Sequence, residues 1–195
     1  MLSLLILVAW LTGSQTGQLS AAWLNRLGFA PRDLLMLNWE RLVTSALVTS
    51  GGRVFGEALV MIALATGASE WMTSSLRAGL TFWGVHLASL LILSLILAYP
   101  LHWAGYSIGS ALIVARDVGP SAGYFGSLGL VSSQLPGRWR WLLFGLVWVG
   151  LIGVLASSPQ GRAGDVVSLS ANLAHAVAFP LGMLSGFLPV PFARA

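Results

Sequence analysis

Long apolar stretches make up most of the chain, and polar residues are concentrated in the shorter segments between them. A helix needs about 17–25 mostly apolar residues to cross a bilayer. Six stretches meet this requirement, at roughly residues 2–18, 53–71, 78–100, 119–135, 139–157 and 168–188. The first stretch lacks the positive flank and the cleavage site of a signal peptide, so we expect a retained helix. The pattern predicts six transmembrane helices in an all-α membrane protein.

The segment between the first two stretches has a different pattern. Residues 21–52 are amphipathic, carry five charged side chains and contain Pro31. Such a mixture suits a lobe that lies at the membrane interface rather than one that crosses the bilayer. The length of the chain corresponds to about one domain. We therefore predict a single transmembrane domain, residues 1–195, in which residues 21–52 form an interfacial lobe.

Composition agrees with a membrane protein. Hydrophobic residues make up 56% of the chain and charged residues only 8%, against about 25% charged in a soluble domain. The net charge of +4 comes from arginines spread singly along the chain, which is unlike the clustered basic patch of a nucleic-acid-binding protein. The chain has no cysteine, and this excludes disulfides and thiolate metal sites. We expect a lipid bilayer around most of the surface and no nucleic acid partner.

Two polar residues inside the apolar stretches suggest chemistry. Ser121 begins the fourth stretch, and His175 lies seven residues into the sixth, roughly 10 Å along a helix axis. In a six-helix topology these two helices run in the same direction, so both side chains can reach one depth. A serine next to a histidine can be a nucleophile, and an ionisable residue within a membrane helix indicates a functional site. A serine between small residues is also a common packing residue, so spacing leaves both interpretations open.

The other polar residues within the stretches favour structural roles. Glu57 follows Arg53 by one helical turn, which predicts an ion pair near the interface. His86 lies in the third stretch and His102 follows its end, without regular ligand spacing or a nearby carboxylate. We therefore predict no metal and no cofactor.

Two sequence segments resemble the rhomboid family of intramembrane serine proteases. The segment "VGPSAGYFGSLG" resembles the family's GxSGxxxxxxG signature, and "SANLAHAVAFPLGMLSGF" resembles its last helix. Ser121 lies in the fourth stretch and His175 in the sixth, 54 positions later (175 − 121). This separation is similar to that in the family. The segment "LNWERLVTSALVTSGG" is similar to the family's first loop. The resemblance implies a six-transmembrane-helix rhomboid-like bundle in a bacterial inner (plasma) membrane, which cleaves membrane-anchored proteins by binding their transmembrane helices.

The resemblance also implies roles for individual residues. Ser121 would be the nucleophile and His175 its general base, without a third acid. Site support would come from Gly119 in the turn before the serine, Phe125 against the histidine ring, and Asn172 one turn before the histidine. The small residues Ala178, Gly182 and Gly186 would form the face on which the sixth helix packs against the fourth.

The sequence departs from the family pattern at the second helix. Many rhomboids carry a His-x-x-x-Asn pair there to support the oxyanion, and the matching positions hold Val54 and Ala58. Ala122 also stands where the family has a glycine after the serine. An alternative is therefore a catalytically silent rhomboid-like protein that binds transmembrane helices as a structural or assembly subunit of a membrane complex.

Overall fold

All regular elements of the described chain are helices. The structure is a computed structural model that describes residues 1–157 and 163–189. The helices are α1 (Leu2–Thr12), α2 (Ala21–Leu27), α3 (Arg32–Leu35), α4 (Arg41–Thr44), α5 (Arg53–Met72), α6 (Ser75–Trp103), α7 (Ser107–Val114), α8 (Ser121–Gln134), α9 (Arg138–Ala156) and α10 (Ala163–Ser185). Two of them contain a π-helical segment, Ile62–Thr66 in α5 and Leu93–Ala98 in α6.

Four helices of the described chain are long and apolar enough to cross a membrane. They are α5, α6, α9 and the part of α10 from Asp165 onward. The predicted all-helical fold is therefore confirmed, and these helices are compatible with a multi-pass membrane protein. In the first and fourth predicted stretches the helices are shorter than the length needed to cross a bilayer, because α1 has 11 residues and α8 has 14. Helix α1 ends where Gly13 adopts a left-handed conformation, with φ of 72°, and turns the chain.

Helix α8 lies at the centre of the helix bundle and packs against α5, α6 and α10. Its inward face consists of small residues, which let neighbouring backbones come close. Ala122 of α8 forms one buried cluster with Val85 of α6 and Ala178 of α10. Further along, the α10 backbone at Gly182 lies directly against the α8 backbone at Gly126.

The rest of the α8–α10 contact repeats this arrangement. Gly129 faces the backbone of Phe179 and Met183, and Gly186 faces the side chain of Ser133. A side chain at either glycine would collide with the opposite helix. The small face Ala178, Gly182 and Gly186 thus lies on α8 along its whole length.

A tryptophan of α9 supplies the hydrogen bond that a proline removes from α10. Pro180 has no N–H, so the carbonyl of Ala176, four residues earlier, loses its usual helical donor. The indole N–H of Trp148 donates to this carbonyl at 3.1 Å. Phe144, one turn before Trp148, stacks on Phe179 with ring centroids 5.4 Å apart. An unpaired carbonyl in lipid is costly, so this bond fixes where α9 meets α10.

The predicted lobe, residues 21–52, is fastened to α6 by two hydrogen bonds to backbone carbonyls. The Tyr99 hydroxyl donates to the carbonyl of Pro31 at 2.8 Å. The Nε2 atom of His86, which is buried, lies 3.0 Å from the carbonyl oxygen of Leu42. The lobe therefore rests against the side of a membrane-length helix.

The predicted ion pair in α5 is confirmed. Arg53 Nε donates to Glu57 Oε1 at 2.6 Å. Both side chains are largely exposed, at 91% and 51%, so the pair contributes little stability.

We predict that Gly182→Ala destabilises the protein, because the new Cβ would meet the backbone of Gly126. Overpacking of this kind costs about 1–3 kcal/mol. Gly150→Ala in α9 is the matched control, because no atom lies within 4 Å of a Cβ built there. Unfolding in mixed detergent micelles, followed by circular dichroism, measures both variants. Equal stability of the two would contradict the close approach of α8 and α10.

We predict a coupled effect of Trp148 and Pro180. Trp148→Phe should lower the free energy of unfolding by about 1 kcal/mol, because the Ala176 carbonyl loses its donor. In a Pro180→Ala background the new N–H supplies that donor, so the same tryptophan change should cost less. A double-mutant cycle measures the difference. Strict additivity of the two changes would show that the bond has no energetic role.

Candidate active site

The turn before α8 presents Ser121 at a helix N-terminus. Gly119 has φ of +141°, a conformation that L side chains rarely adopt. Its N–H donates to the carbonyl of Ser45 in the lobe at 2.8 Å. Pro120 follows with φ of −74° and is buried, which prepares the chain for the helix. The helix therefore begins at Ser121 itself.

The first turn of α8 offers backbone donors around the serine. The first hydrogen bond of the helix runs from the Tyr124 N–H to the Pro120 carbonyl, at 3.1 Å. The N–H groups of Ser121, Ala122 and Gly123 come before this bond and have no acceptor within the helix. They carry the positive end of the helix dipole, which suits a developing negative charge.

A buried carboxylate connects the serine turn to the lobe. Asp33 is 0% exposed. Its carboxylate accepts from Arg41 at 2.6 Å, from Arg116 at 2.8 and 3.3 Å, and from the Ala30 N–H at 2.8 Å. We call this group of residues the Asp33 clamp. Arg116 also donates to the Gly28 carbonyl.

The clamp is reinforced by the backbone. Phe29 and Asp117 form an isolated antiparallel bridge, with N–H to carbonyl distances of 3.0 and 2.9 Å. Burial alone would raise the pKa of the Asp33 carboxyl. The Ala30 N–H and the guanidinium groups of Arg116 and Arg41 outweigh burial and hold that pKa below its usual value. Asp33 is therefore charged at neutral pH and pairs with both arginines.

A cavity of about 420 Å³ opens at the start of α8. Ser121 and Gly119 line it, and so does His175 of α10. The remaining wall comes from the lobe (Leu24, Thr49, Ser50), α5 (Val54, Ala58), the turn (Arg116, Asp117, Val118, Pro120), α8 (Tyr124) and α10 (Val167, Ser168, Ala171). Two residues that are 54 positions apart in the sequence therefore line one small cavity.

His175 is held by its helix and by an aromatic ring. It shares a face of α10 with Ser168 and Ala171, at spacings of seven and four residues. Its ring lies against that of Phe125, with centroids 4.5 Å apart and planes at 32°. Within the described chain, its buried Nε2 has no hydrogen-bond partner. That nitrogen therefore forms no hydrogen bond with Ser121 in this structure and keeps its capacity to accept a proton.

The other predicted site residues lie around this centre. Asn172 lies on α10 one turn before His175, is half-buried, and is outside the cavity lining. Val54 and Ala58 line the cavity, so its α5 wall is apolar where many rhomboids have two polar side chains. The α5 wall therefore offers Ser121 no side-chain donor, and the nearest donors in the sequence are the N–H groups in the first turn of α8.

The other two histidines form hydrogen bonds away from the cavity. His86 is bonded to the Leu42 carbonyl, and His102 Nδ1 lies 3.0 Å from the Ser110 hydroxyl. Among the described residues, no group of three histidine, aspartate or glutamate side chains could hold a metal ion.

Sequence reasoning missed the Asp33 clamp and the position of Asp117. Asp117 lies four residues before Ser121 and lines the same cavity. Its Oδ1 accepts from the Val118 N–H at 2.8 Å. Burial raises the pKa of the Asp117 carboxyl to about 6, and the Val118 N–H opposes this rise. The one available signal was an acid in the short polar segment directly before the serine.

Compared with protein-family models, curated proteins and solved structures, the chain matches none of them.

We predict that Asp33→Asn destabilises the protein by about 3–5 kcal/mol, because two partly buried arginines lose their buried counter-charge. The lowered pKa means that the stabilisation is complete above about pH 3.9 and is lost as the pH falls through the folded-state value. Unfolding in micelles between neutral pH and pH 2 measures both effects. Glu57→Gln, in an exposed pair, is the control and should change stability little. Matching losses in the two variants would contradict the clamp.

Proposed function

We propose that this protein is an intramembrane serine protease of the rhomboid type. Ser121 is the nucleophile and His175 the general base. The observation that carries the proposal is the shared cavity, which is lined both by a serine at a helix N-terminus and by a histidine whose Nε2 has no hydrogen-bond partner in the described chain. The substrates are membrane-anchored proteins, whose transmembrane helices bind beside the cavity.

The chemistry follows from these groups. His175 accepts the proton of the Ser121 hydroxyl as the oxygen attacks a substrate carbonyl. The carbonyl oxygen gains negative charge, which the N–H groups at the start of α8 stabilise. When the C–N bond breaks, His175 gives its proton to the leaving amine. Water, activated by the same histidine, then hydrolyses the acyl-enzyme, and no cofactor takes part.

The rest of the proposal concerns the bundle. We propose that a six-helix rhomboid-like bundle is formed, in chain order, by α1, α5, α6, α8, α9 and α10. The shortness of α8 is compatible with it, because a helix enclosed by other helices need not match the thickness of the bilayer. We assign the protein to a bacterial inner (plasma) membrane, with the cavity open to the extracytoplasmic side.

A second function has its own supporting observation. Val54 and Ala58 present no hydrogen-bond donor to the cavity, and loss of one oxyanion donor can slow an enzyme by about 10²–10³-fold. This wall favours a catalytically silent rhomboid-like protein that binds transmembrane helices as a subunit of a membrane complex. Co-purification with other membrane proteins in fixed stoichiometry would support it.

A fluorophosphonate probe tests the first function. We predict that the purified wild type is labelled and that Ser121→Ala is not. His175→Ala should slow labelling by at least about 100-fold, because the general base is lost. Ser127→Ala is the matched control, since it removes another hydroxyl from α8 away from the cavity. Wild type that stays unlabelled under conditions that label an active rhomboid would exclude the protease and leave the silent protein.

A further inference from the structure

We propose that Asp117 selects substrates that carry a lysine or arginine in the segment next to their membrane helix. The inference rests on the proposed function, because it takes the cavity at Ser121 as the place where substrate binds. It adds a charge requirement to that site and a residue that imposes it.

The carboxylate of Asp117 is held in place at the cavity. The residue precedes Ser121 by four positions and lines the same cavity. Its backbone is fixed by both hydrogen bonds of the bridge to Phe29, and its Oδ1 accepts from the Val118 N–H. A group fixed in this way needs no rearrangement before it binds a ligand, which favours selective binding.

No cation of the described chain forms an ion pair with this carboxylate. The neighbouring Arg116 directs its guanidinium to Asp33 and to the Gly28 carbonyl. His175 lines the same cavity, but its ring packs against Phe125 and it forms no ion pair with Asp117. The raised pKa of the Asp117 carboxyl has burial as its largest cause, and no arginine lowers it. A partly desolvated carboxylate without a counter-charge is stabilised when a cation arrives.

The rest of the cavity contributes little charge. Its wall is otherwise made of apolar and hydroxyl side chains, with Arg116 already matched by Asp33 and His175 assigned to proton transfer. The ligand that fits is therefore an ammonium or guanidinium group on a long, flexible side chain. Because Asp117 and Ser121 are separated by one tight turn, the basic residue lies within about three residues of the cleaved bond.

Binding to the full-length Ser121→Ala variant tests this inference without turnover. The probes are synthetic peptides with an apolar helix of about 20 residues, preceded by a short polar segment that carries one lysine or, in the matched peptide, one glutamine. The lysine is moved through the positions of this segment. Affinities are measured by fluorescence anisotropy in micelles of a detergent without an amine headgroup.

We expect at least one lysine peptide to bind about 10-fold more tightly than its glutamine partner, the ratio that one pKa unit of charge interaction represents. Adding Asp117→Asn, which keeps an acceptor for the Val118 N–H, should abolish the preference. Glu70→Gln, which removes an exposed acid outside the cavity lining, is the control and should preserve it.

Equal affinities for the two peptides at every position would overturn the inference, as would a preference that survives Asp117→Asn. Loss of the preference in Glu70→Gln would also overturn it, by assigning the effect to general surface charge. A protein that takes no fluorophosphonate but prefers the lysine peptide through Asp117 would refute the protease alone. The charge selectivity would then belong to a helix-binding protein.

Discussion

The site depends on one buried ion pair network, the carboxylate of Asp33 between Arg41 and Arg116. Asp33 and Arg41 belong to the lobe, and Arg116 lies at the start of the turn that leads to Ser121. Removing charges from water is expensive, so such a group persists only when every partner is in place. The clamp, the Phe29–Asp117 bridge and the bond from Gly119 to Ser45 together fix the turn. The lobe therefore acts as the support of the serine.

Helices α8 and α10 are held together by close backbone approach. Glycines of α8 and α10 face backbone atoms of the opposite helix, as at Gly126 and Gly182. Lipid tails are as apolar as the side chains, so the hydrophobic effect does not drive helices together in a bilayer. Close packing and satisfied hydrogen bonds stabilise the bundle instead. The Trp148 bond to the Ala176 carbonyl follows the same logic, because it satisfies a group that Pro180 leaves unpaired. Helix α9, which has no buried residue, depends on such contacts.

The cavity has two chemically different sides. The turn and the start of α8 contribute backbone N–H groups and Asp117, and α10 contributes His175, whereas Val54 and Ala58 make the α5 side apolar. Under the proposed protease function, the polar side would supply the nucleophile, the base and backbone donors. The α5 side offers no side-chain donor to an oxyanion. The two proposed functions differ in how much stabilisation of an oxyanion the N-terminus of α8 can supply.

The sequence by itself determined the features that depend on neighbouring residues. Apolar runs of sufficient length gave the helices near residues 53–71, 78–100, 139–157 and 168–188, because a helix in lipid must satisfy its own backbone. Helix direction was enough to suggest that Ser121 and His175 reach the same depth, and one-turn spacing was enough to predict the Arg53–Glu57 pair.

Only the tertiary structure decided the features that join distant segments. Asp33 and Arg116 are 83 positions apart (116 − 33), and no local pattern pairs them. The short α8 could not be read from apolar length, because its ends are set by the clamped turn and by its enclosure. Asp117 was visible as an acid before a helix, but its place on the cavity wall follows from the bridge to Phe29. These contacts depend on how the lobe folds against the helices, which spacing along the chain does not encode.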